Sequence, residues 1–255
     1  MEPINLLIDL DNTMVVCNIY YTFAKTNLVK YVKKLSPLSE EEIMALIERF
    51  ELERLNSIDT FSSKTFPEVF VKTFDEACKN TKYDSNYLFE TIHKGQLTAD
   101  CIIDNDEKHT SRNLVFKLAE SVFNSAPYTI YPTVNETLVE LNRRGYNCYI
   151  STKGDFYTQL RKIQNLSKVF KGVFIVPNKN PEVYSGIVRT IRGTVDRTWM
   201  IGDSPSDDII AASSAGLKTV WVKRKAKSSW VGDPFVESFK YYHRIETFNE
   251  LLNIF

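Results

Sequence analysis

From residue 127 onward, short and nearly continuous apolar runs alternate with longer stretches whose apolar positions recur at helical spacing. The runs at 147–152, 172–176, 198–201 and 218–222 have strand length and are too uniformly apolar for a half-exposed sheet. Between them, the spacing predicts helices from Thr133 to Arg144, from Phe156 to Leu166, over 181–192 and over 207–215. Thr133 with Glu136 makes a capping-box pattern for the first of these, and Gly145 ends it. Such alternation argues a parallel sheet with helices on both faces. A further run, Leu6-Leu7-Ile8, belongs to the same sheet although about 110 largely helical residues separate it from the next strand.

Those intervening residues read differently. Apolar and aromatic positions from Val15 to Leu35 suit an amphipathic helix, and Pro37 breaks it. Ser39 with Glu42 forms another capping-box pattern, opening a helix through about Leu55. Residues 56–66 look like a loop, Pro67 opens a helix through about Lys79, and two or three more helical segments fill 84–125. The expected organisation is an α/β core of residues 1–17 and 128–255, with an all-helical insertion at 18–127. No internal repeat or low-complexity tract is present.

The first apolar run ends in Asp9-Leu10-Asp11-Asn12-Thr13. In an extended strand Asp9 and Asp11 leave the same side. Two like charges that close imply a shared proton or a bound cation, and magnesium suits hard oxygen ligands. The plainer reading is a strand running into an Asp-Asn turn. Downstream, each strand of the expected sheet ends in polar residues: Ser151-Thr152-Lys153-Gly154-Asp155, Asn178-Lys179, and Gly202-Asp203-Ser204. Ligands of open parallel sheets bind beyond the carboxyl ends of the strands. Three carboxylates, a hydroxyl and an ammonium would therefore converge on one patch, suited to a metal and a phosphate.

Composition narrows the setting. Lys plus Arg and Asp plus Glu each total 32, so the formal net charge is zero and no nucleic-acid polymer or anionic membrane is expected as partner. Cys17, Cys78, Cys101 and Cys148 are scattered, as free thiols of a reducing compartment are. With no basic leader and no run of about 20 apolar residues, the reading is a cytoplasmic protein. Lys223-Arg224-Lys225-Ala226-Lys227 reads as a solvated loop, with phosphate steering as the other possibility. His93, His109 and His243 stand alone and read as structural or surface residues, and Cys17 as a small buried hydrophobe near the first motif.

Taken together, the chain resembles the haloacid dehalogenase-like (HAD) superfamily of hydrolases. The resemblance rests on Asp9-Leu10-Asp11-Asn12-Thr13, a strand ending in Thr152, Lys179 before a helix, and Gly202-Asp203-Ser204-Pro205-Ser206-Asp207-Asp208, in that order. The helical insertion sits where that family places its C1-type cap. The resemblance implies a Rossmann-like core and a phosphatase rather than a dehalogenase, because the second motif aspartate, Asp11, marks the phosphotransferase branch. Asp9 is then the nucleophile, forming an aspartyl-phosphate, and Asp11 the general acid and base. Magnesium is held by Asp9, the backbone carbonyl of Asp11, and Asp203, with Asp208 supporting. Thr152 and Lys179 contact the phosphoryl group.

Two assignments keep alternatives. Ser151 would replace Thr152 after a one-residue slip, and Asp207 would replace Asp208; Thr152 and Asp208 fit the pattern better. Thr13, Lys153 and Gly154 join the substrate-binding set, together with Phe61 and Lys64 from the cap; neighbouring Phe66 and Phe70 read as core. The expected partner is a small phosphorylated metabolite, a nucleotide or sugar phosphate, with the protein a monomer or homodimer. A phosphotransferase or mutase would use the same residues. A non-catalytic binding module would be expected to have lost one of them, and none is lost.

Overall fold

Strand β1 (Asn5–Ile8) is fully buried and lies in the middle of a six-stranded sheet. The computed structural model describes residues 3–57, 65–79, 107–224 and 239–255. The other strands are β2 (Asn147–Lys153), β3 (Gly172–Val176), β4 (Thr198–Gly202), β5 (Lys218–Val222) and β6 (His243–Ile245). Their order is β3-β2-β1-β4-β5-β6 and every pairing is parallel. From β1 the chain builds outward first to one side and then to the other. The reversal falls between β1 and β4, and the strand ends there form the crevice in which such sheets bind ligands.

The chain divides into two compact units, Met1–Asn18 with Pro127–Phe255, and Ile19–Ala126. In the first, Leu7 and Met200 on one sheet face pack with Tyr184, Ile187 and Val188 of a helix at Pro181–Thr190 and with Ala211, Ala212 and Leu217. On the other face a helix at Val134–Arg143 packs on β2 and buries Val134, Leu138 and Leu141. A 3-10 turn at Phe248–Asn253 packs on that helix. Phe255 closes the end, edge-on to Trp199 at 5.1 Å and to Tyr146 at 5.4 Å. His243 stacks on Trp199 at 5.8 Å.

The second unit contains α1 (Asn18–Leu35, from its second residue), α2 (Glu40–Ser57), α3 (Thr65–Ala77) and α4 (Glu107–Asn124). Phe66 is its centre, 5.4 Å from Tyr21, 4.5 Å from Phe70 and 5.9 Å from Phe123. Burying aromatics edge to face contributes about 1 kcal/mol per pair beyond area. A buried ion pair, Lys25 to Glu51 at 2.7 Å, ties α1 to α2. Ser39 and Glu42 cap α2 reciprocally, each side chain bonded to the other's amide.

Several local expectations are corrected. The first helix starts at Asn18 and not Val15, because Asn12 adopts a left-handed φ of 57° and its Oδ1 receives the Cys17 and Asn18 amides. Val15 instead bridges Ile130. Thr133 does not cap by its side chain; it sits at φ 66° with no cap bond. Pro67 lies within α3, whose described residues are Thr65–Ala77. Expectations for residues 80–106, His93 and Cys101 among them, lie outside the described residues, as does the side chain of His109. For the fold as a whole, Leu7→Ala removes a fully buried side chain from the central strand. It should lower unfolding stability by about 3 kcal/mol, read as a lower urea midpoint with unchanged slope.

Candidate active site

Asp9 lies one residue beyond β1, its amide bonded to the Ile201 carbonyl at 2.9 Å. That bond fixes it against β4, whose end delivers Asp203 across the crevice. One oxygen from each of Asp9, Asp203 and Asp208 lies within 4.8 Å of the others. Lys179, just before the helix Pro181–Thr190 (α7 here, counting Val134–Arg143 as α5 and Phe156–Ile163 as α6), spans two of them. Its Nζ donates to Asp9 Oδ1 and Asp208 Oδ1, each at 2.6 Å. Asn180 starts α7 by accepting the Val183 amide at 2.8 Å, which sets the turn from which Lys179 reaches inward.

Asp208 gets there by an unusual turn. Residues Pro205–Ile210 form a π-helical turn before continuing as an α-helix at Ala211–Ser214. Wide turns of this kind shift side chains around the axis and recur at functional sites. The turn sends Asp208 inward, 1% exposed, and Asp207 outward to an ion pair with Lys153. Gly202 makes room, since a Cβ there would lie 2.2 Å from Asp208 Oδ2. It is therefore Asp208, and not Asp207, that joins the cluster.

Electrostatics follow from this crowding. Burial, with Asp208 and Asp11 beside it, pushes Asp9 up to about 7 despite the pull of Lys179. Asp203 is pushed well above the usual carboxylate range by burial and by Asp9 and Asp208. Burial also raises Asp208. Burial pulls the Lys179 ammonium down, but Asp208 and Asp9 outweigh it and hold it well above its ordinary value. Three carboxylates around one ammonium leave two negative charges to be met by protons or by a divalent cation. The donor set is all hard carboxylate oxygen, which fits magnesium.

Asp11 occupies a separate environment. Its Oδ2 accepts from Lys162 Nζ at 2.8 Å and Gln159 Nε2 at 3.1 Å, and its Oδ1 lies 3.1 Å from Cys17 Sγ. Burial pushes its carboxyl up, but Lys162, with Cys17 and Gln159, outweighs burial and holds it below the usual range. The Asp11 side chain is not one of the three clustered carboxylates. Gln159 also bonds Thr152 Oγ1 at 3.1 Å and the Lys153 carbonyl at 2.5 Å. Strand alternation puts Ser151 on the opposite face, where its Oγ is buried without a partner among the described residues. Thr152 is thus the hydroxyl brought to Asp11. Gly154, at φ 141°, is needed where a Cβ would meet Gln159 Nε2 at 2.7 Å.

Thr13 is buried and donates to Asp203 Oδ1 at 3.1 Å, so it orients a cluster carboxylate. Lys153 is engaged by Asp207. Phe61 and Lys64 lie outside the described residues; Phe66 and Phe70 are core. Sequence reasoning missed Gln159, Lys162, Trp221 and Arg224. Trp221 Nε1 donates to the Asp203 carbonyl at 3.1 Å. Arg224, expected in a solvated basic loop, is partly buried: it donates to the Asn12 carbonyl at 2.6 Å and to the Thr13 carbonyl, and stacks 3.7 Å from Tyr131. Lys225, Ala226 and Lys227 lie outside the described residues.

The haloacid dehalogenase-like hydrolase family profile matches residues 5–216, and the chain belongs to that family. It is 24% identical over 184 residues to a glyceraldehyde 3-phosphate phosphatase of Pyrococcus furiosus, spanning 68% of this chain and 73% of that one. Two further curated relatives match over 59% and 47% of their own lengths. Among solved structures it resembles a haloacid dehalogenase-like hydrolase from Xanthomonas campestris. The TM-score is 0.71 at 15% identity, covering 99% of this chain and 94% of that one. The HAD-hydrolase YfnB from Bacillus subtilis, solved bound to magnesium, gives a TM-score of 0.60 at 18% identity over 100% and 99% of the two chains. At these identities the structures show a shared fold.

The raised carboxylates give a pH dependence of defined sign. Asp9 binds its proton up to about 7 in the folded chain against 3.8 as an ordinary side chain. Its contribution is therefore fully present below about pH 4 and is lost as pH rises through about 7. In EDTA the melting temperature should fall between those limits. Added magnesium should raise it more at pH 8 than at pH 5; a metal-free profile that rises over that window would refute the assignment.

Proposed function

We propose that this chain is a magnesium-dependent phosphomonoester hydrolase acting on a small soluble phosphorylated metabolite through an aspartyl-phosphate intermediate. One observation carries the reading: Asp9, at the central strand's end, faces Asp203 and Asp208 with Lys179 spanning two of the three. A phosphate site needs an anionic nucleophile held against an anionic substrate, so cationic charge has to be concentrated beside it. Asp9, Asp203 and Asp208, with the Asp11 backbone carbonyl, would hold magnesium, whose charge would reduce the repulsion between carboxylate and phosphate. The relative named a glyceraldehyde 3-phosphate phosphatase supports a small phosphate ester, and the magnesium-bound fold relative supports the metal.

The chain's own residues then divide the work. Asp9 attacks phosphorus with a carboxylate oxygen while the bond from phosphorus to the leaving oxygen breaks. Asp11 gives that oxygen a proton and later takes one from the water that hydrolyses the aspartyl-phosphate. Lys162 holds Asp11 below the ordinary range, so the proton it passes to the leaving oxygen is the one the substrate brings as its phosphate monoanion, and Asp11 is left ionised for the second step. Lys179 stays charged and reduces repulsion at Asp9. Thr152 places its hydroxyl for a phosphoryl oxygen. The helical unit of Ile19–Ala126 is the proposed cap that selects substrate. No helix among the described residues is long and apolar enough to cross a membrane.

The test is phosphate release from p-nitrophenyl phosphate and a panel of nucleotides, sugar phosphates and other alkyl phosphates. Turnover should require magnesium, stop in EDTA, and fall by about 1,000-fold or more in Asp9→Asn, because no other route to the covalent intermediate exists. Folded protein that turns over no ester, while its melting temperature still rises with magnesium, would reject the hydrolase reading in favour of phosphoryl transfer to another acceptor or of ligand binding.

A further inference from the structure

Helix α6 is turned the wrong way round for its sequence. It buries Thr158, Gln159 and Lys162, while Phe156, Tyr157 and Leu160 are 58%, 81% and 38% exposed. Burying an ammonium costs several kcal/mol unless it is paired and well bonded, whereas these three apolar side chains would gain from burial. Hydrophobic packing alone would rotate the helix the other way. Polar contacts at its inner face must therefore set the orientation. They are specific: Lys162, 1% exposed, reaches Asp11 Oδ2 at 2.8 Å with its charge 5.0 Å above the Tyr128 ring, and Gln159, 2% exposed, reaches the same oxygen at 3.1 Å. The helix start is itself pinned by Asp155, which accepts the Thr158 amide at 3.0 Å.

From this geometry we infer that Lys162, assisted by Gln159, is a positioning residue that holds the Asp11 carboxylate in the orientation for relaying the proton of the substrate's phosphate monoanion to the leaving oxygen. Two donors from one rigid helix converge on one carboxylate oxygen. They fix the rotation of that carboxylate, which a single contact would leave free. Cys17 meets the other oxygen, so Asp11 is held on both sides. The Lys162 contact does not touch the cluster of Asp9, Asp203 and Asp208, so its loss should leave the metal and the nucleophile in place. This inference rests on the phosphatase reading above and adds to it a residue that acts through Asp11.

A structural role and a positioning role separate by leaving group. The ratio kcat/KM reports steps up to departure of the alcohol. An alkyl alcohol needs a proton from Asp11 as it leaves; p-nitrophenolate does not. In Lys162→Met, kcat/KM for the best alkyl phosphate of the panel should fall about 30-fold or more, while that for p-nitrophenyl phosphate changes less than about threefold. Equal losses on both esters, or no loss on either, would overturn the inference. If Lys162→Met does not fold, Lys162→Gln carries the comparison; if neither folds, Lys162 is structural and the inference fails. Wild-type protein without activity on any ester would instead remove the phosphatase reading itself.

Discussion

Lys179 sits between Asp9 and Asp208 at 2.6 Å from each, and much of the α/β unit is arranged so that this contact can exist. At an effective dielectric near 20, unit charges about 4 Å apart interact by roughly 4 kcal/mol. Three mutual repulsions among Asp9, Asp203 and Asp208 therefore nearly cancel the two attractions to Lys179. The desolvation of four buried or half-buried ions is left without compensation. A fold maintains such a cluster only if rigid neighbours hold every member. Here β1 and β4 are locked in register, the Asp9 amide is bonded to Ile201, and Gly202 admits Asp208 at a distance no side chain would allow. Tyr184, fully buried, donates to the Asp207 carbonyl at 2.9 Å and steadies the π turn from behind.

Asp9 and Asp11 are two residues apart, yet their environments push them in opposite directions. Asp9 shares its ammonium with Asp208 and has like charges beside it, so burial prevails and its carboxyl rises. Asp11 has Lys162 and two further donors, which prevail over burial. Pairs of carboxylates whose environments separate them in this way are how one site supports two chemical roles. The separation depends on two lysines reaching the crevice from different elements, one before α7 and one from the inner face of α6.

The strands could be read from the sequence because a parallel sheet covered on both faces leaves nearly continuous apolar runs, and the polar residues ending those runs mark the crevice. Asp9, Lys179 and Asp203 were visible for that reason. Parity along β2 separates Thr152 from Ser151 only once the strand's register is known. Choosing Asp208 over Asp207 needs the π turn, which no periodicity announces. Lys162 was hidden because the apolar positions of α6 point to the wrong face. Arg224 was hidden because a basic run is ordinarily a solvated surface, and the carbonyls it binds belong to a loop more than 200 residues earlier in the chain.

That loop is where the two carboxylates are finally kept apart. Asn12, at φ 57°, is in a conformation that costs a non-glycine residue about 1 kcal/mol or more and persists only when its surroundings over-determine it. They do so from three directions. The Asn12 side chain accepts the Cys17 and Asn18 amides, which also presents Cys17 to Asp11. Its amide is bonded to the Val15 carbonyl at 2.7 Å. Arg224 takes the Asn12 and Thr13 carbonyls while stacked on Tyr131, which is in turn bonded to Met14. A regular strand would have carried Asp11 on in the direction of Asp9 and added a fourth charge to the cluster. The strand itself ends at Ile8, and Asp11, bridged to Val15 across the left-handed turn at Asn12, faces Gln159 and Lys162 of α6. The turn at Asn12 and the inner face of α6 together give two aspartates so close in sequence different partners.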